Sequence, residues 1–229
     1  MRKRKYLVLI LMLVGDLITE SSGRRALLGP VMSDAAITLV ALVVFVVVFE
    51  GWRERAVAFI AATAASAVNW SRYLPTASEH ETLRAVAHHG LMVAFLGFAV
   101  TVILRNILTR QDVTGDDVLG TVCGYLLAAA LWANAYALTE VLVPGSFNLS
   151  QEMKGVSTWQ GRTAVFSYFS LVTLTTMGYG DITPVRAPAT AFATLEAVFG
   201  QFYIAVVVAQ LVGLRLAQAF TPKDPPASR

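Results

Sequence analysis

The chain has 229 residues, of which 56% are apolar and only 14% are charged. Soluble domains carry roughly 25% charged residues, so this composition excludes an ordinary soluble protein and indicates an integral membrane protein. The net charge of +3 comes from basic residues at the ends of apolar runs. That distribution does not indicate binding to nucleic acid, which would require a basic face.

The polar residues do not indicate an enzyme. A single cysteine, Cys123, excludes an intrachain disulfide and falls inside an apolar run. His80, His88 and His89 lie close in sequence but have no cysteines at ligand spacing, so we interpret them as part of a wet loop and a helix end rather than a metal site. We find no nucleophile–base pairing and predict neither catalytic residues nor a cofactor.

Six apolar stretches are candidates for transmembrane helices, because a helix needs about 20 mostly apolar residues to cross a bilayer. In chain order they are Tyr6–Thr19, Ala35–Phe49, Ala56–Tyr73, Ala85–Leu104, Val118–Val143 and Ala189–Phe220. A shorter segment, Thr163–Thr175, is predicted to be a re-entrant helix that crosses only half of the membrane. The predicted fold class is therefore an all-α integral membrane protein with six transmembrane helices and a re-entrant helix between the fifth and sixth.

The first stretch has two interpretations. A basic start, Arg2–Lys5, followed by a short apolar core is also typical of a secretory signal peptide. No Ala-x-Ala cleavage site follows it, so we favour a retained helix. Either interpretation leaves the other five spans in the same orientation.

The segment Thr173–Asp181 reads Thr-Leu-Thr-Thr-Met-Gly-Tyr-Gly-Asp and follows the predicted re-entrant helix. Its two glycines, Gly178 and Gly180, allow backbone dihedrals that other residues resist, so that successive carbonyls can face one axis. A ring of carbonyls can replace the water shell of a cation. Irregular backbone at membrane depth is tolerated only where it lines a cavity or is buried in protein.

This segment resembles the Thr-x-Gly-Tyr-Gly-Asp selectivity filter of the tetrameric potassium channels, with Met177 where valine or isoleucine is commoner. The resemblance implies that each chain supplies Thr176, Met177, Gly178, Tyr179 and Gly180 as ligands of K⁺, the permeant ion and the only metal expected. Because the motif occurs once per chain, it also implies a homotetramer in the lipid bilayer.

Two further roles follow at the outer mouth of the filter. Asp181 can form a charge ring that concentrates cations, and it can accept backbone N–H bonds within its own loop; both roles can hold at once. Tyr168, thirteen residues earlier, matches the aromatic residue that braces this aspartate in related channels, although simple packing is the alternative. Thr175 is assigned to the support of the filter.

The last predicted span supplies the hinge and cavity candidates. Gly200 follows Gly180 by twenty residues, which is the spacing of the hinge glycine in the resembled channels; close packing against a neighbour is an equal alternative. Continuing the same helical register places Gln201, Ile204 and Val208 toward the cavity. Glu196, an acid inside this span, needs a function or a partner, and we predict that it braces the back of the filter.

The resemblance also predicts orientation and domains. The filter of such channels lies near the external mouth, so both chain ends are predicted to be cytoplasmic in the plasma membrane; eleven of the 18 basic residues then lie inside. Residues 1–117 form a four-helix scaffold, 118–220 the pore domain and 221–229 a short cytoplasmic tail without a ligand-binding domain. A voltage sensor needs several regularly spaced arginines, and none lies between Ala85 and Leu104.

The function predicted from the sequence is passive, potassium-selective conduction with little voltage dependence. Three alternatives remain. A weakly selective cation channel would usually alter the tyrosine or the second glycine, both of which are intact. A potassium-transporter subunit would carry four degenerate pore repeats in one chain, and a non-conducting adaptor would need an interaction module. The gating stimulus is not predicted.

Overall fold

A computed structural model of the chain describes residues 5–21, 30–49, 51–73, 80–109, 114–150 and 159–220. The predicted cytoplasmic tail, 221–229, lies outside these ranges. Regular structure in the described part is helical apart from one short ribbon of two strands, so the all-α prediction holds for the architecture but missed the ribbon.

The N-terminal half contains the predicted scaffold helices. Helix α1 is Lys5–Ser21, α2 is Pro30–Val48, α3 is Trp52–Trp70 with a 3-10 turn at Ser71–Tyr73, and α4 is Glu81–Thr109. All four helices begin before the predicted apolar stretches, and α1 and α4 also end beyond them, most clearly α4. The reason is that helical hydrogen bonding continues into polar residues, whereas hydropathy marks only the apolar middle.

The C-terminal half contains one long helix, one short helix and one interrupted helix. Helix α5, Gly115–Leu142, is called the outer helix, and α6 is Trp159–Leu174. Helix α7, Ala187–Phe202, continues through a π-helix at Tyr203–Val207 into α8, Val208–Phe220, and these three together are called the inner helix. A capping box at Thr114 and Asp117 starts α5, with the Thr114 N–H 2.8 Å from Asp117 Oδ2. The sixth predicted span is therefore helical throughout but contains one wider turn.

The ribbon joins the two loops on either side of α6. Strand β1, Phe147–Leu149, pairs antiparallel with β2, Ile182–Pro184, so that Leu149 lies opposite Ile182. Strands of three residues are too short to show the alternation by which a strand is recognised in a sequence. The ribbon attaches the segment after Asp181 to the end of α5.

Three helical stretches in the described residues are long and apolar enough to cross a membrane: Glu81–Thr109, Gly115–Leu142 and Ala187–Leu214. Two shorter apolar stretches, Tyr6–Asp16 and Asp34–Val48, lie in α1 and α2. Helix α3 opens with the charged residues 53–55 and meets neither description. Three spans are thus supported by length and composition, and six spans remain a prediction.

The scaffold packs on the outer helix of its own chain. Helices α1 and α4 both contact α5, and α1 also contacts α6. The Cys123 thiol in α5 lies 3.5 Å from the Tyr6 carbonyl in α1, which places this cysteine in the buried apolar role expected of it. The fully buried side chains of this core include Leu9, Val44, Phe49, Phe95, Ile103 and Leu127.

A second core fills the space between α5, α6 and the ribbon. The rings of Tyr136, Phe147, Phe166 and Phe169 meet with centroid distances of 4.8–6.3 Å. Aromatic rings at such separations contribute beyond the area that they bury. This aromatic cluster packs α6 against α5 and the ribbon.

Gly200 lies against the end of α6. A Cβ atom at this position would overlap the Leu174 carbonyl oxygen and lie 3.2 Å from the carbonyl carbon, and these backbone atoms cannot rotate away. The close-packing interpretation of Gly200 therefore has a direct structural basis. Bending of the inner helix is not needed to explain the glycine.

We predict that Gly200→Ala destabilises the folded protein by about 1–3 kcal/mol, the usual cost of overpacking. Gly213→Ala in α8 is the matched control, because a Cβ atom there would have nothing within 4 Å and alanine favours a helix. Thermal unfolding in detergent measures both variants. Equal melting temperatures for the two would contradict the contact with Leu174.

Candidate functional site

Helix α6 ends in a Schellman motif that leads directly into the Thr-x-Gly-Tyr-Gly segment. The Met177 N–H donates to the Val172 carbonyl at 2.9 Å, and the Thr176 N–H donates to the Thr173 carbonyl at 3.0 Å. The last carbonyls of the helix are thereby satisfied without water. The motif requires a left-handed residue at its end, and Thr176 occupies that position with φ +57°.

A β-branched residue is a backbone outlier in the left-handed region, and such strain costs on the order of 1–3 kcal/mol. The sequence pattern indicated special dihedrals at the glycines but not at Thr176. Its hydroxyl donates to the Thr175 carbonyl at 2.7 Å, while the Thr175 hydroxyl donates to the Leu171 carbonyl at 2.6 Å. Both threonines therefore stabilise the end of α6 in this chain.

Every second residue of the segment has a positive φ. The values are +57° at Thr176, +56° at Gly178 and +78° at Gly180, whereas Met177 and Tyr179 are not in the left-handed region. In a β-strand, successive carbonyls point to opposite sides. Alternating left- and right-handed residues instead turn successive peptide groups toward the same side, which is the arrangement that a carbonyl-lined ion path requires.

Asp181 closes the segment with two hydrogen bonds. The Tyr168 hydroxyl donates to Asp181 Oδ2 at 2.7 Å, and the Ile182 N–H donates to Oδ1 at 3.1 Å. The contacts expected for the brace and for the loop cap are thus both present. The Tyr168 ring also lies parallel to that of Tyr179, with centroids 6.4 Å apart, a contact that no sequence spacing indicated.

Glu196 is fully buried. Its carboxyl group contacts α6 rather than Thr176–Gly180, which we call the filter-like segment. The Tyr136 hydroxyl of α5 donates to Glu196 Oε2, and Ser170 Oγ of α6 lies 2.5 Å from Oε1. Sequence reasoning missed Tyr136 and Ser170, which lie 60 and 26 residues from the glutamate. One indication of such partners was present in the sequence, the glutamate itself, because a carboxyl group in an apolar span needs hydrogen-bond donors.

The last residue of α6 is held from two sides. The Tyr125 hydroxyl of α5 donates to the Leu174 carbonyl at 2.9 Å, and Gly200 of α7 packs against the same carbonyl. Tyr125 was also missed, since nothing in its local sequence distinguishes it from other membrane tyrosines. These contacts fix the position from which the Thr176–Gly180 segment begins.

The cavity residues assigned from the sequence depend on a register that the inner helix does not keep. Gln201 and Ile204 are exposed in the single chain, as surfaces facing a central cavity would be. The π-helix at Tyr203–Val207 widens one turn and rotates the remainder of the inner helix relative to a regular α-helix. The side chain of Val208 falls outside the described residues, so its assignment to the cavity stays a prediction.

The histidines and the rest of the scaffold show no metal centre in the described residues. His89 Nδ1 lies 3.0 Å from Asn134 Oδ1 in α5, and its ring lies edge-on to that of His88. Both rings are buried, which corrects the expectation of a wet environment for this pair. His80, just before α4, is exposed.

Residues 124–214 match a family model described as an ion channel. The match spans most of α5, all of α6, the filter-like segment, α7 and the start of α8, so this part of the chain is similar to an ion channel domain. The scaffold before Gly124 lies outside it. No curated protein and no solved structure matches the chain.

The role of the Tyr168–Asp181 hydrogen bond can be tested by substitution. Tyr168→Phe removes a bond to a charged group, worth about 1.5–3 kcal/mol, and should change the steady-state open probability while ion selectivity survives. Tyr73→Phe is the matched control, because it removes another Tyr–Asp bond, to Asp34 Oδ2 at 2.8 Å, in the scaffold. Single-channel recording measures both.

Asp181→Asn separates the brace from the charge ring. If bracing dominates, this variant mimics Tyr168→Phe. If the charge dominates, it lowers inward current mainly at low salt, where screening is weak, and Tyr168→Phe is silent.

Proposed function

We propose that the chain is one subunit of a homotetrameric potassium channel that conducts passively down the electrochemical gradient. The observation that carries this proposal is the alternation of φ at Thr176, Gly178 and Gly180, at the end of a helix within the matched ion channel domain. In this proposal the carbonyls of Thr176–Gly180 replace the water shell of K⁺. The protein is not proposed to be an enzyme.

Assembly of several copies is supported by what the single chain leaves uncovered. One filter strand cannot surround an ion, and Met177 and Tyr179 are 57% and 64% exposed. The inner helix is also largely uncovered, with Phe202 65% exposed. Neighbouring subunits and lipid would cover these apolar surfaces, and the resemblance to potassium channels implies four copies.

The chain is proposed to lie in the plasma membrane with six spans and both ends in the cytoplasm. The end of α6 would then point its partial negative charge toward the central cavity and favour a cation there. Asp181 would lie at the external mouth. The scaffold helices would surround the pore domain through their contacts with α5.

Gly178→Ala tests the filter. A Cβ atom at this position would meet nothing within 4 Å, so the cost comes from the backbone, since φ +56° is unfavourable for alanine by roughly 1–2 kcal/mol. Purified protein in liposomes should carry K⁺ and exclude Na⁺, and this variant should lose that selectivity or all flux. Gly90→Ala, a helical glycine with equally open surroundings, is the control. Equal K⁺ and Na⁺ permeability of the parent would refute the potassium channel.

Voltage dependence should be weak. Helix α4 carries Arg84 and Arg105 near its ends and no arginine between Ala85 and Leu104. Each charge that crosses the field contributes only about 2.3 kcal/mol per 100 mV, so few charges leave gating almost independent of voltage. Planar-bilayer recordings should give a shallow conductance–voltage curve; a steep curve would mean that the scaffold moves other charges.

A further inference from the structure

The oxygen atoms around Glu196 make more hydrogen-bond contacts than they have protons to donate. Ser170 Oγ lies 2.5 Å from Glu196 Oε1 and also 2.9 Å from the Ala129 carbonyl oxygen. A serine hydroxyl has one proton and can donate to only one acceptor at a time. The Ala129 carbonyl carries no proton, so if Glu196 were ionised, one of the two short contacts would join lone pairs to lone pairs.

The other carboxyl oxygen does not resolve the shortage. Tyr136 donates its only hydroxyl proton to Glu196 Oε2. Glu196, Tyr136 and Ser170 are each fully buried, so bulk solvent does not reach these oxygens. One additional proton on Glu196 Oε1 satisfies every contact: Glu196 donates to Ser170, Ser170 donates to Ala129, and Tyr136 donates to Glu196.

The charged groups near Glu196 also favour a protonated carboxyl group. Helix α7 carries no other charged residue, and the neighbouring titratable groups are the phenols of Tyr136 and Tyr125 from α5. From α6 the contact is the Ser170 hydroxyl. In the described part of the chain, no cation forms an ion pair with Glu196. An isolated buried carboxylate costs several kcal/mol, whereas a neutral acid with its hydrogen bonds satisfied does not.

We propose that Glu196 is a neutral carboxylic acid at neutral pH and that its proton begins a relay through Ser170 to the Ala129 carbonyl. The relay, together with the Tyr136 bond, joins the outer helix α5, the helix α6 and the inner helix α7. Glu196 is thus a positioning residue that holds α6 through one exchangeable proton. This inference deepens the proposed function, because α6 carries the filter, but it concerns a protonation state that is measurable without conduction.

Infrared spectroscopy of the purified protein tests the proton directly. A protonated carboxyl group has a C=O stretch well separated from the amide and carboxylate bands, and detergent without ester groups keeps that region clear. Exposed Asp and Glu ionise near pH 4, so they do not contribute at neutral pH. The parent protein should show the acid band at neutral pH and lose it on alkaline titration, and Glu196→Gln should lack it.

Glu140→Gln is the matched control. The Glu140 carboxyl oxygens accept the backbone N–H groups of Gly145 and Ser146, both at 2.9 Å, and take no part in the Glu196 contacts, so the loss of this group should leave the acid band unchanged. A parent without the band at neutral pH, or a band of undiminished intensity in Glu196→Gln, would overturn the proposal.

The direction of the relay has its own test, which does not depend on the folding of a Glu196 variant. Ser170→Ala removes the acceptor of the acid proton, so the acid band should move to higher frequency as the hydrogen bond is lost. A band at the same frequency in Ser170→Ala would show that the proton does not point to Ser170. Absence of potassium flux in liposomes would refute the channel while leaving the infrared result intact.

Discussion

The non-helical backbone that follows α6 imposes the main constraint on this structure. Unpaired peptide groups are costly where water is scarce, so the end of α6 has to satisfy its own carbonyls while the next residues leave theirs unused. The Schellman motif achieves this, because Val172 and Thr173 accept the N–H groups of Met177 and Thr176. The carbonyls of Leu174 and Thr175 accept the hydroxyl groups of Tyr125 and Thr176, and in the proposed channel the carbonyls of Thr176–Gly180 would face K⁺.

The outer helix α5 supports this segment from behind. Tyr125 holds the Leu174 carbonyl, Tyr136 reaches Glu196, and the Ala129 carbonyl contacts Ser170. Polar groups that are buried and satisfied in this way restrict a structure to one arrangement, although they contribute little net stability each. The ribbon of β1 and β2 fixes the other end of the segment to the same helix. A strained residue such as Thr176 persists only where its surroundings are held this firmly.

The scaffold reaches the inner helix at a point remote from the filter-like segment. The Gln210 side chain of α8 donates to the Leu108 carbonyl at the end of α4 at 3.0 Å, and the Tyr203 hydroxyl at the π-helix donates to the Thr121 carbonyl of α5 at 2.7 Å. Gly124 makes room for that tyrosine, since a Cβ there would lie 2.5 Å from its hydroxyl. Hydrogen bonds therefore connect the inner helix to α5 at the start of the wide turn and to α4 just beyond that turn.

Local pattern was sufficient to predict most of the helices and the place of the unusual backbone after α6. Apolar runs of membrane length located α4, α5 and the inner helix, because burial in an apolar phase selects composition along the whole element. The Gly-Tyr-Gly triplet indicated the unusual dihedrals of Gly178 and Gly180, because few other residues tolerate a positive φ. The bond between Tyr168 and Asp181 was expected from the resemblance to potassium channels, and the two side chains do form it.

Only the tertiary structure decided which polar groups meet. Tyr136, Ser170 and Glu196 come from three helices, and their contacts depend on helix rotation and depth rather than on any sequence spacing. The left-handed Thr176 arises from the geometry of the helix end, against the preference of its own side chain. The π-helix shifts the inner-helix register by an amount that hydropathy does not encode. The sequence by itself determined an apolar, membrane-type chain with a glycine-containing loop after a short helix, because composition and glycine act locally. The side chains that hold this loop in place depend on packing between distant segments, which only the tertiary structure decides.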